Sequence, residues 1–473
     1  MKDFAVVGSG VGGSSIAAYL SHKGYEVALF EKEPYLGGCS STFSKKGYHY
    51  NTGATTLAGY QEGHLVKEFL DELGIKPDVK VCDPSIVIVQ NNTSVPRYTD
   101  LEQFLQALQS LHPHPKNREF WSLVHRLGKE FYAQRGYAYS NRSFFAKLRS
   151  LVSYIPLFGR FYRYLFCDAR SFIVDFFGDI SDEYLDFLDA QILIVAQAKT
   201  PDINFFTAAL SLGYTFNENH YVMGGFDSLF ELLGAKVKEV HKNRTIDNIQ
   251  RKNGFYILKS GDKEFKAKNV ILNSTIYESE QYFEDAEIKT YYKKYKKLKN
   301  TQSSFMVYMT IKSDADFYHH YQLIQKESIQ DTLSKAVFVS FSDKEDEKIA
   351  PKGHYSITAS IHTDALFWTN KQSYKEQKER LHKRLSATIC ETLCIDQEQI
   401  VESFAATPNT FKRYINRSQL GGNPITMKNF LPKLPSNDTP IQGLYHVGDS
   451  VYAAQGWPGV MMGVNNLKGL LHV

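Results

Sequence analysis

"DFAVVGSGVGG", residues Asp3 to Gly13, opens the chain with a short apolar strand that runs directly into glycines. Gly8, Gly10 and Gly13 have the G-x-G-x-x-G spacing. A helix is predicted from Val11 to Lys23, and "EVALFE" (Glu26 to Glu31) reads as a second strand. The result is a βαβ unit with its glycines at the first turn. In such a unit the first glycine permits the tight turn, the second lets the backbone approach a pyrophosphate, and the third lets helix and strand pack closely. The free N–H groups and positive end of the helix attract the phosphate. Glu31 lies 18 residues beyond Gly13, where an acid for the ribose hydroxyls belongs. A carboxylate there favours an unphosphorylated ribose, hence FAD or NAD rather than NADP.

The composition excludes several other classes. With 43% hydrophobic and 22% charged residues, the 473-residue chain is an ordinary folded protein. A net charge of +4, from 55 basic and 51 acidic residues, is too balanced for a nucleic-acid footprint. The cysteines, Cys39, Cys82, Cys167, Cys390 and Cys394, are odd in number and scattered, so no disulfide framework is expected. Cys390 and Cys394, one turn apart, read as a buried helix face, and no metal is expected. The N-terminus lacks the pattern of a signal peptide, and no apolar run reaches the length of a spanning helix. The expected location is cytoplasmic. The 30 Tyr and 32 Phe suit a large core or the lining of an apolar tunnel.

Behind the second strand, "EKEPYLGGCSSTF" (Glu31 to Phe43) carries the glycine pair Gly37–Gly38. This pair resembles the motif of the large FAD-dependent family that includes amine oxidases, protoporphyrinogen oxidases and carotenoid desaturases. Several longer stretches are similar to its carotenoid desaturase, carotenoid cis-trans isomerase and retinol saturase branch. They are "GGCSSTFSKKGYHYNTGATTLAG" (Gly37 to Gly59), "SSFMVYMTIK" (Ser303 to Lys312), "YHHYQLI" (Tyr318 to Ile324) and "GLYHVGDSVYAAQGWPGV" (Gly443 to Val460). Cys39 stands where the desaturases usually have arginine, a change nearer to the isomerases and saturases.

The resemblance implies an α/β fold, with a Rossmann-like FAD-binding domain built from split segments, 1–75, 220–280 and 440–473. An α+β substrate domain with a mixed sheet would comprise 76–219 and 281–439. The cofactor would be FAD, held by Gly8, Gly10, Gly13, Glu31, Lys32, Gly38, Cys39, Val240, Gly448, Asp449, Gly456 and Val460. Trp457 and Met461 would face the substrate, a polyene or isoprenoid lipid altered at its carbon–carbon double bonds. A soluble amine oxidase, or a polyene-binding protein without catalysis, are the alternatives. An external electron partner such as a quinone is expected, because no second dinucleotide fingerprint occurs. His319 and His320 are candidate proton donors or tunnel-lining groups, or else satisfied polar neighbours.

Helices are also predicted over 100–111, 117–134 and 374–393, and strands over 301–312 and 354–364. From Arg142 to Arg170 six basic residues and one acid punctuate an apolar, aromatic stretch. Such a segment suits peripheral attachment to an anionic membrane over about 142–178, or a buried helical hairpin. "KTYYKKYKKLKN" (Lys289 to Asn300), with six lysines, suits lipid headgroups or a solvated helix face.

Overall fold

Strand Lys2–Val7 lies at the centre of a seven-stranded sheet in the computed structural model, which describes residues 1–132, 138–424, 426–427, 434–453 and 455–472. It pairs in parallel with Val27–Phe30 on one side and Lys263–Leu272 on the other, and Glu239–His241 extends the first edge. Lys263–Leu272 is long enough to divide its other edge. Its start pairs antiparallel with Phe255–Ser260, and its end pairs in parallel with Leu444–His446. Asn248–Lys252 completes the sheet. The sheet thus joins the two ends of the chain through its middle.

The central stretches Phe4–Val7, Val27–Phe30 and Val270–Leu272 are apolar and buried because both faces are covered. The two-residue period sends Phe4, Val6 and Leu29 to one side, against helices Val11–His22, Phe226–Ala235 and Gly456–Leu471. Ala5, Val7, Ala28 and Phe30 point to the other, toward Ile249, Ile288 and Tyr292.

A second seven-stranded sheet is mixed. Its order is Ile400–Ala406, Gln302–Lys312, His354–Asp364, Ala336–Phe341, His320–Ile324, Ile86–Gln90 and Thr93–Arg97. Only the pairing of His320–Ile324 with Ile86–Gln90 is parallel. One face of the long strands, with Phe305, Val307, Ile357 and Ile361, packs on helix Tyr374–Leu393 through Leu381, Leu385 and Ile389. The opposite face carries Ser304, Met306, Phe338, Ser360 and His362 toward a cavity.

Among the described residues from 101 to 213 the regular elements are helices. Asp100, Ser143, Asp168, Ser181 and Asn204 each accept a hydrogen bond from the amide three residues on, which sets the starts of five of these helices. The expected α/β class with a mixed second sheet is borne out. Helix 374–393 and strand 354–364 have the expected limits, and 301–312 begins one residue later, at Gln302. The expected helix over 117–134 is observed as Asn117–Tyr132, its last two residues lying outside the described ones. Cys390 is buried in its helix, but Cys394 is the exposed, left-handed cap of that helix and not part of a buried face.

Candidate active site

A cavity of about 990 Å³ lies between the two sheets and the helical layer. One end is lined by the glycine turn, by Glu31 to Glu33, by the Gly37–Gly38 pair and by Gly448, Asp449 and Gly456 to Val460. The other end is apolar, with Tyr154, Leu157, Phe158, Leu165, Phe206 and Leu210.

The glycine turn fits a dinucleotide. A Cβ on Gly13 would lie 2.0 Å from the Gly8 carbonyl oxygen, so only glycine lets the helix seat on the strand. Gly8 has φ +95°, which a side chain rarely tolerates. The helix beginning at Val11 has no side-chain cap and no acid in its first turn, leaving its N–H groups for an anion. Glu31 is buried and held by the turn itself. One oxygen accepts from the Ser9 amide at 2.9 Å and the Ser9 hydroxyl at 2.6 Å, and the other accepts from the Glu33 amide at 3.0 Å. Asn273, just past the end of strand Lys263–Leu272, brings to the same spot a buried Oδ1 that has no partner among the described residues.

Asp449 meets a residue the sequence did not single out. Arg417 donates from both guanidinium nitrogens to the two Asp449 oxygens, each at 2.8 Å, and lies 3.6 Å from the Cys39 sulfur. Burial pushes the Cys39 thiol up. Burial alone would lower Arg417, but Asp449 outweighs it and holds the guanidinium charged. The loop that delivers Arg417 continues into Gly421–Gly422, where a Cβ on Gly422 would lie 2.1 Å from the Asp449 carbonyl oxygen. No spacing in the sequence marks Arg417. Gly421 and Gly422, just beyond it, serve close packing.

Gly8, Gly10, Glu31, Lys32, Gly38, Cys39, Gly448, Asp449, Gly456 and Val460 all reach the cavity. Gly13 lies behind the turn. Val240 sits in the edge strand away from the cavity, whose lining there is Arg244, Thr245, Ile246 and Asp247. Trp457 edges the cavity, stacked on Phe226 at 5.6 Å, and its buried indole N–H has no partner among the described residues. Met461 lies in the core beneath it, and Met462 faces the cavity instead.

His319 and His320 do not reach the cavity. His320 Nδ1 lies 3.1 Å from the Ser85 carbonyl, which places the proton on that nitrogen, so Nε2 accepts from the Thr56 hydroxyl at 2.8 Å. His319 Nε2 lies 3.1 Å from the Thr55 carbonyl. Burial pushes both imidazoles below their ordinary value. The pair braces Thr55 and Thr56, which do line the cavity.

Comparison with known proteins agrees with this geometry. Residues 6–73 match the model of the NAD(P)-binding Rossmann-like domain. A chloroplastic prolycopene isomerase from Daucus carota is 27% identical, over 96% of this chain and 77% of its own length. A 4,4'-diapophytoene desaturase from Staphylococcus haemolyticus is 23% identical, over 97% and 96%. A putrescine oxidase bound to putrescine has the same fold, with a TM-score of 0.64 at 12% identity, covering 100% of this chain and 98% of that one. The resemblance drawn from the glycine motifs is thus borne out: the chain is a homologue of carotenoid isomerases and desaturases, built on the amine oxidase fold.

Proposed function

We propose that the chain is an FAD-dependent enzyme that introduces, saturates or isomerises carbon–carbon double bonds of a polyene lipid taken from an anionic membrane surface. The carrying observation is a helix, Ile155–Leu165, that lines the cavity on one face and, with the preceding helix Phe144–Ser153, presents apolar side chains outward. In Phe144–Ser153 and Ile155–Leu165, Leu157 and Leu165, with Tyr154 between the helices, face the cavity. Phe144, Phe145, Leu148, Val152, Ile155 and Tyr162 face outward, and Phe144 and Phe145 are 76% and 80% exposed. Exposed Arg142, Lys147, Arg149, Arg160 and Arg163 are interspersed with them along the chain. Exposed apolar side chains interleaved with cations suit lipid with anionic headgroups. Among the described residues no helix is long and apolar enough to cross a membrane.

Within the site the chain's own residues bind, orient and exclude water. The glycine turn, its helix end and Glu31 would hold the adenosine and pyrophosphate half of FAD. The Arg417–Asp449 pair, Gly448 and the start of helix Gly456–Leu471 would hold the flavin half. Bound FAD supplies two-electron chemistry that a polyene, lacking an acidic or basic handle, cannot obtain from side chains. The aromatic end fixes the polyene along the cavity and keeps it dry. An external carrier such as a quinone would exchange electrons with the flavin. Flotation tests the membrane part: the purified protein should rise with phosphatidylglycerol vesicles at low salt. Absence from the lipid fraction under those conditions contradicts it.

A further inference from the structure

The cavity face of the mixed sheet carries three polar side chains that the protein leaves free. Ser304 stands directly across from His362 in the pairing of strands Gln302–Lys312 and His354–Asp364, and Ser360 lies two residues before His362 on the same face. Among the described residues nothing is hydrogen-bonded to the Ser304 or Ser360 hydroxyl or to either nitrogen of the His362 ring. All three residues keep accessible surface and line the cavity beside the apolar Met306 and Phe338. This end of the sheet is tied to the loop that delivers Arg417. The Leu420 amide donates to the Gln302 carbonyl at 3.1 Å, and the Ser303 hydroxyl donates to the Ser418 carbonyl. Burial, and then the charge of Lys199, push the His362 imidazole down to about 4, so the ring is neutral near pH 7.

Other bases at the cavity are engaged. Glu31, Glu33, Asp247, Glu278 and Asp449 are each held by a protein donor. His64 also borders the cavity, but its ring is stacked on Tyr132 at 4.8 Å and lies near Glu68 and Glu218. Introducing a double bond removes two hydrogens from adjacent carbons. One departs as a hydride, carrying both electrons of its C–H bond to FAD. The other departs as a proton, and the electrons of its C–H bond become the new π bond. The proton needs an acceptor that is uncharged beforehand, because a standing charge among apolar side chains is costly. A weak base suffices, since a C–H bond beside a carbon that is losing hydride is far more acidic than an ordinary one. We propose that His362 takes this proton on a ring nitrogen, which makes the reaction double-bond introduction rather than isomerisation. The Ser304 and Ser360 hydroxyls are the neighbouring acceptors on the sheet face for the imidazolium that results. This rests on the polyene reading above.

The test uses phytoene, a polyene with single bonds left to oxidise, given in vesicles to the FAD-loaded protein without oxygen. Diethyl pyrocarbonate, which attacks neutral imidazoles, should label His362 in the unaltered protein, as read by peptide mass, and bound phytoene should block the label. His362→Gln should slow the bleaching of flavin by phytoene about 100-fold or more. Its flavin content and its phytoene binding, followed by quenching of tryptophan fluorescence, should stay unchanged. His64→Gln should bleach near the parent rate. Added imidazole should restore part of the rate to His362→Ala, which it would not do for a side chain that only supports the sheet. Bleaching by His362→Gln at the parent rate overturns the proposal. So does a His362 that is not labelled, or not protected, in the unaltered protein, and this arm decides alone if the variants fail to fold. Phytoene that binds without bleaching the flavin overturns it too, because no proton is then removed. In each of these cases polyene binding stands and only this inference fails. If no polyene binds, the polyene reading fails with it.

Discussion

Arg417 and Asp449, 32 positions apart, meet as a two-pronged ion pair inside the cavity, with both N···O distances at 2.8 Å. Their side chains are 13% and 16% exposed, so neither charge has much water to fall back on. Removing one partner of such a pair leaves a buried charge uncompensated, at a cost of about 3–5 kcal/mol. Arg417→Met should therefore lower the unfolding free energy by that order and release flavin. Arg417→Met combined with Asp449→Asn should recover part of the loss. Denaturant unfolding of the two variants checks this, and equal stability of both would show the pair to be incidental.

The glycine turn predicts a contrast between two alanines. Gly13→Ala places a Cβ 2.0 Å from a backbone oxygen that cannot move without shifting the strand. It should cost about 1–3 kcal/mol and abolish flavin retention. Gly128, inside helix Asn117–Tyr132, has open space at its Cβ. Gly128→Ala should stabilise by about 0.5–1 kcal/mol with flavin content unchanged. Thermal melts and the ratio of visible to ultraviolet absorbance read both effects.

That contrast shows why the cradle was legible in the sequence. Each of its glycines answers a local demand, a turn or a close approach, and local demands leave fixed spacings. Arg417 answers a demand made by Asp449, 32 positions away, so no local spacing marks it. Met461 misled for a different reason. Trp457, Met461 and Val464 form one helical stripe, and that stripe faces the core. Trp457 touches the cavity only because it begins the helix. The helical layer between 101 and 213 was half legible: its caps are local, but which faces line the cavity depends on packing.

Stability should fall on mild acidification. Burial pushes His112 down to about 4 and His446 down to about 3, so the folded state holds them neutral where the unfolded chain would protonate them. Their contribution is complete above pH about 6.5 and is lost as pH falls toward those values, at about 1.4 kcal/mol per pH unit for each. Asp189, Asp227 and Asp438, raised by burial, act in the opposite direction. The difference between parent and variant isolates one histidine. His446→Gln should flatten the decline between pH 6 and 4.5 by about that slope, and an unchanged slope would contradict the neutral, buried state.

The outward face of helix Phe144–Ser153 should matter for lipid and not for folding. Phe144 and Phe145 are largely exposed, so Phe144→Ser with Phe145→Ser should leave the unfolding free energy within about 0.5 kcal/mol. Burying a phenylalanine in lipid contributes about 1.5–3 kcal/mol. Partition onto anionic vesicles should therefore fall by about tenfold or more. Sedimentation with vesicles at two salt concentrations checks both the apolar and the charged contributions.

The central claim is that one cavity presents a flavin to a polyene. An anaerobic visible spectrum of the purified protein, recorded before and after polyene is added in vesicles, tests it most directly. The account predicts a flavin band in the starting protein and a shift of the polyene absorption on addition. Bleaching of the flavin as the polyene moves to longer wavelength marks desaturation. A polyene shift seen only after the flavin has been reduced, without net change in the flavin, marks isomerisation. A protein that carries no flavin, cannot be loaded with FAD and leaves the polyene spectrum unchanged would contradict the account from Gly8 to Asp449.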